Sequence, residues 1–168
     1  RNGTVIDGTG APRLKSDVAI KSNIIVEVGK VEGESHSEVD AQGKIVSPGF
    51  IDLHTHSDSS FLIDPHADSK LTQGVTLELF GNCGMSFCAP LIGGARSMFE
   101  QRIDRSGDKL IPTWTDFDGY LTALEKCGST INIATQIGHG TVRSAVMDMD
   151  SRMPTPDELD RMQGIFAD

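Results

Sequence analysis

The chain has 168 residues, 38% of them hydrophobic, enough for a real core. Its formal charge is -9 and its pI about 4.9. Those values disfavour nucleic acid and anionic membrane surfaces as partners, because both are met by a basic face. Aromatic residues make up only 5%, so Val, Ile and Leu are expected to fill the core. Three cysteines, Cys83, Cys88 and Cys127, are odd in number and form no CxxC pair. That points to a reducing compartment, the cytoplasm, rather than a disulfide framework. No run approaches the roughly 18 apolar residues of a membrane span.

Residues 1–47 read as a small, incomplete β-domain. Short strands are expected at Gly3 to Gly8 (closed by a turn), Asp17 to Lys21, Ile24 to Gly29, Glu38 to Asp40 and Lys44 to Val46. So few short strands do not close a sheet well, and the remainder is expected from chain outside this sequence. Pro48 and Gly49 then punctuate the pattern. Residues 48–168 read as alternating strands and helices. Phe50 to Leu53 is a near-continuous apolar strand, the style of a parallel sheet buried on both faces. A helix is expected within 59–73, stopped by Gly74. Val75 to Phe80 is a second strand, and 93–105 is ambiguous between loop and helical turn. Phe117, Tyr120, Leu121 and Leu124 share a helical face, with Thr115 and Asp118 as a capping pair and Gly128 as the stop. Ile131 to Ile137 is a third strand, ending at Gly138-His139-Gly140. Thr155-Pro156-Asp157-Glu158 opens a last helix with an N-cap, a first-turn proline and a capping-box glutamate. This order implies a parallel α/β fold, the first three units of a (β/α)8 barrel preceded by the small β-domain.

The candidate chemistry lies at the strand ends. His54 and His56 are one residue apart, so along a strand they face one way and two imidazoles can reach one metal ion. They can equally be two ordinary histidines. Cys83 follows the second strand between Asn82 and Gly84. It is either a thiolate ligand, which suits zinc, or a small buried hydrophobe. His139 can serve substrate or hold a local hydrogen bond. Asp52 is assigned a structural role, and Asp58 is a candidate to orient a histidine. Cys127 is assigned to structure.

Asn2-Gly3-Thr4-Val5-Ile6-Asp7-Gly8 and Val46-Ser47-Pro48-Gly49-Phe50-Ile51-Asp52-Leu53-His54-Thr55-His56 resemble the opening of the amidohydrolase superfamily. Gln73-Gly74-Val75-Thr76, Gly81-Asn82-Cys83-Gly84 and Gly138-His139-Gly140-Thr141-Val142-Arg143 are similar to its N-acyl-D-amino-acid deacylase (D-aminoacylase) branch. The resemblance implies that this is the N-terminal portion of a longer protein. It implies Zn2+ at one tight site, with a second, weaker divalent position. His54 and His56 match the first metal pair, and Cys83 the cysteine that replaces a carboxylated lysine. Two further histidine ligands and the general-base aspartate of the family have no counterpart here, so no catalytic residue is assigned and the 168 residues alone are expected to be inactive. The implied reaction is hydrolysis of the linear amide of an N-acyl-D-amino acid, a small-molecule partner, to a carboxylate and a D-amino acid. Two other readings stand beside it: a cyclic amidohydrolase of hydantoinase or dihydroorotase type, and a non-catalytic scaffold.

Overall fold

The computed structural model describes every residue except Ala89, Asp108 and Asp168. The chain divides into two compact units, Arg1–Gly49 and Phe50–Asp168.

The first unit is one sheet in the order β3-β2-β1-β4, built from β1 (Gly3–Val5), β2 (Leu14–Lys21), β3 (Ile24–Gly29) and β4 (Ile45–Val46). β2 pairs antiparallel with both β1 and β3, while β1 and β4 run parallel. Asn23, at φ +65°, turns the chain from β2 into β3. The strand expected at Glu38 to Asp40 does not form. That segment is instead held by side chains: Asp40 Oδ1 accepts from Asn2 Nδ2 at 3.1 Å and from the Gln42 N–H at 3.0 Å. An Asx turn of this kind competes with a sheet ladder.

The second unit is a three-stranded parallel sheet, β5 (Phe50–Asp52), β6 (Val75–Phe80) and β7 (Asn132–Thr135), with β6 in the centre. Helices fill the connections: α1 (Ser60–Ile63), α2 (Asp68–Leu71), α3 (Gly93–Ser106), α4 (Phe117–Cys127), α5 (His139–Met147) and α6 (Pro156–Ala167). The single helix expected within 59–73 is two short ones. Pro65 disfavours a helical residue before it, and Asp64 is extended there (φ −134°, ψ 94°). β5 is an edge strand with Phe50 61% and Ile51 58% exposed, not buried on both faces. α4 is capped by Asp116, not by Thr115: Asp116 Oδ1 accepts the Gly119 N–H at 2.7 Å. Gly128 ends α4 in the left-handed region, as the pattern predicts. The capping box of α6 forms: Thr155 Oγ1 accepts the Glu158 N–H at 3.3 Å and Glu158 Oε2 accepts the Thr155 N–H at 2.8 Å.

Aromatic side chains organise the core of this unit, against the expectation from composition. Phe61 stacks on Phe80 with centroids 5.9 Å apart. Phe80 meets Tyr120 edge to face, Tyr120 packs on Trp114, Trp114 on Phe99, and Phe99 on Phe87 at 4.8 Å. A few large rings bury enough surface to make up for their rarity, and edge contacts add to that burial. Their polar atoms are satisfied: Trp114 Nε1 donates to Phe87 O at 2.7 Å, and Tyr120 OH to Asp58 O at 2.7 Å. Among the described residues, no helix is long and apolar enough to cross a membrane.

Candidate metal centre

β5 ends at Asp52, so His54 and His56 lie on the segment that follows it and strand alternation does not carry them. That segment remains tied to the sheet. Thr55 donates from both its N–H (3.1 Å) and its Oγ1 (3.2 Å) to Leu79 O, near the end of β6. The two imidazoles approach at 5.7 Å between centroids, tilted by 68°. His54 Nε2 lies 3.2 Å from Cys83 Sγ. One ligand atom from each of His54, His56 and Cys83 falls within 4.8 Å of the others. The structure therefore brings together the three residues singled out in the sequence.

Cys83 owes its place to the loop that carries it. Its φ is +56°, a left-handed conformation that costs a non-glycine residue about 1–2 kcal/mol. Asn82 anchors that loop to the ends of all three strands. Its Nδ2 donates to Leu79 O (3.0 Å) and Thr55 O (3.3 Å), and its Oδ1 accepts from Gln136 Nε2 (3.2 Å). The far side of the loop rests on the start of α5. The Thr141 N–H donates to Gly84 O at 3.1 Å, Thr141 Oγ1 accepts the Ser86 N–H at 2.8 Å, and Ser86 Oγ accepts the Gly138 N–H at 2.9 Å. The approach demands glycine: a Cβ on Gly138 would lie 2.6 Å from the Gly84 backbone. On the other flank, Arg102 Nη2 donates to His56 O at 2.8 Å, with its guanidinium 5.8 Å above the Phe87 ring.

The remaining candidates fall elsewhere. His139 is exposed at the first turn of α5, outside the His54–His56–Cys83 cluster. Asp58 does not orient a histidine. It is 4% exposed, burial pushes its carboxyl up, and the backbone N–H groups of Phe87 and Gly81 with the charge of Arg102 oppose that rise. Asp52 pairs with Lys70: the Lys70 ammonium, helped by the His54 N–H, holds its carboxyl below the usual range. Cys88 is buried, its Sγ 3.3 Å from Gln136 O, and burial raises its thiol pKa. Cys127 closes α4.

Sequence reading missed Arg102, Gln136 and Thr141. Each acts on residues 46 to 55 positions away, and no local pattern marks such a contact. α5 was missed too, although Val142, Ala145 and Val146 carry its i, i+3, i+4 spacing. Gly138 and Gly140 at its start disguise the helix as a loop.

Two imidazoles and a thiol are a donor set suited to zinc and related divalent ions, and their convergence fits such an ion. The comparisons agree. The amidohydrolase family model matches residues 37–168. The D-aminoacylase of Alcaligenes xylosoxydans xylosoxydans is 35% identical over 164 residues, covering 97% of this chain and 33% of that protein. The crystal structure of N-acyl-D-glutamate deacylase from Bordetella bronchiseptica, complexed with zinc and a phosphonate mimic of the tetrahedral intermediate, superposes with a TM-score of 0.81 at 34% identity, covering 98% of this chain and 34% of that one. A D-aminoacylase structure with a binuclear metal centre gives a TM-score of 0.79 at 35% identity, over 98% and 34% of the two chains. The chain thus spans about a third of the length of the curated relatives it matches. With its metal-type cluster at the sheet's end and D-aminoacylases aligned along nearly its whole length, this chain belongs to the amidohydrolase family.

Proposed function

We propose that the protein containing this chain hydrolyses the linear amide of N-acyl-D-amino acids with a resident zinc ion. The observation that carries the reading is the convergence of His54, His56 and Cys83 within 4.8 Å, in a chain whose relatives act on N-acyl-D-glutamate and N-acyl-D-aspartate. A bound zinc supplies Lewis acidity and lowers the pKa of water. Cys83 anchors the tight site through its thiolate. His54 and His56 offer imidazole nitrogens beside it, to that ion or to a second, weaker one. Asn82 and Arg102 hold the backbones that present them.

Three parallel strands, each followed by a helix, with the cluster beyond the C-terminal ends of β5 and β6, support a (β/α)8 barrel as the parent fold. The first unit is then its small β-domain. Three free cysteines fit a cytoplasmic setting.

The test is zinc content and turnover of the intact protein on N-acetyl-D- and N-acetyl-L-amino acids, with a cyclic amide as control. Stoichiometric zinc and D-selective hydrolysis are expected, with both lost in Cys83→Ala. Full zinc and activity in that variant, or preference for the cyclic amide, would overturn the reading.

A further inference from the structure

The proposed chemistry makes no use of an ion cluster lying under the strand ends. Lys70, on α2, places its Nζ 2.8 Å from Asp52 Oδ2 and 2.8 Å from Glu78 Oε1. Asp52 and Glu78 are register partners on β5 and β6. The Glu78 side chain is 0% exposed, and among the described residues its Oε2 has no hydrogen-bond partner. A buried carboxylate held by one cation is a poor way to stabilise a sheet, because well-packed apolar residues commonly do as well or better. What the cluster adds is direction. Lys70 ties the last residue of β5 to the centre of β6, and each strand then runs on into the metal cluster. Asp52 continues the link itself: its Oδ1 accepts the His54 N–H at 3.3 Å.

We infer that Lys70 is a positioning residue for the metal centre, whose ammonium fixes Asp52 against Glu78 and so sets the separation of His54 from Cys83. The inference rests on the metal reading proposed above. Its effect passes through the two strand ends, since Lys70 touches neither ligand side chain.

Lys70→Met alone leaves Glu78 buried without its cation, so a fold defect is built into it. The double variant Lys70→Met/Glu78→Gln removes that charge and is the informative one. Cobalt(II) titrated into the intact apo-protein reads affinity, and the thiolate-to-cobalt charge-transfer band reads Cys83 ligation. The double variant is expected to keep the wild-type thermal midpoint, to bind cobalt about 10-fold or more weakly, the scale on which outer partners act, and to show a diminished band. Glu78→Gln alone, which keeps the Lys70–Asp52 pair but loosens its tie to β6, is expected to weaken cobalt binding by less than the double variant does. Affinity within about two-fold of wild type and an unchanged band in the double variant would overturn the inference. If the double variant does not fold, Asp52→Asn makes the same test, because it keeps the acceptor for His54 but loses the ion pair. A wild-type protein with no thiolate band would overturn the metal reading itself, and the inference with it.

Discussion

His54 Nε2 stands 3.2 Å from Cys83 Sγ across 29 residues of sequence. The contact joins the segment after β5 to the loop after β6, so neither strand alone makes the site. Removing the thiol takes away the ligand that best suits zinc. Cys83→Ala is expected to weaken zinc binding by more than about 100-fold, beyond the 10–100-fold that loss of an outer partner costs. Competition with a chromophoric chelator measures it, and an unchanged zinc affinity would refute the role.

The backbone of Cys83 gives a separate prediction. At φ +56° any L-residue is strained and glycine is not. Cys83→Gly is therefore expected to be more stable than Cys83→Ala by about 1 kcal/mol, although both lose the ligand. Urea unfolding of the two variants decides the point. Equal stability would mean that the loop relaxes out of the left-handed region.

Arg102 supports His56 from behind through a 2.8 Å hydrogen bond to its carbonyl. Arg102→Met keeps much of the apolar stem over Phe87 but removes that donor. Metal affinity measured by calorimetry is expected to fall about 10-fold, with little change in overall fold by circular dichroism. Undiminished affinity would show that the bonds at Thr55 and from His54 to Asp52 hold the segment without Arg102.

Gly138 leaves no room for a methyl group, since a Cβ would come within 2.6 Å of the Gly84 backbone and 2.7 Å of Met85 N. Gly138→Ala is expected to cost about 1–3 kcal/mol and to displace the loop bearing Cys83. Thermal melts with and without added zinc measure the two effects. A variant as stable as the parent would place the loop farther from α5 than the structure does.

Glu158 links pH to the start of α6. Arg152 first, then the Thr155 N–H, holds its carboxyl down to about 2, from an ordinary 4.5. A depressed folded-state pKa contributes stability that is present above the unfolded value. It is lost as pH falls through the folded one, so the loss runs from about 4.5 down to about 2. An NMR titration of the Glu158 carboxyl carbon is expected to find its midpoint near that lower value. Glu158→Gln should flatten the acid limb of the stability profile. A midpoint above 4 would show that the capping box and the Arg152 pair are not populated in solution.

The strands β5, β6 and β7 and the helices α4 and α6 were legible because they rest on local chemistry. The Pro48-Gly49 break, Gly128 and the Thr155–Glu158 box each act within a few residues. The histidine pair and Cys83 were legible as residue types suited to a metal. The reason they converge was not, since strand alternation ends at Asp52 and the convergence comes from Asn82, Arg102 and Thr141 reaching across the fold. The core was misjudged for a similar cause. A percentage counts aromatic residues, but the contact of Phe80 with both Phe61 and Tyr120 depends on which elements meet. Pro65 was in plain view, and its veto on a continuous helix within 59–73 is a local rule that outweighed the apolar pattern.

The carboxamide of Asn82 bonds to groups from the ends of three strands at once. Those ends are distant in sequence, so the loop that presents Cys83 acquires its anchor only when the last of the three has docked. Loop-closure entropy must be met before such contacts return anything. During refolding, capture of a metal ion by Cys83 would therefore trail the appearance of helix. Its onset would time the completion of the sheet, which makes the site a clock for tertiary assembly as well as a place for chemistry.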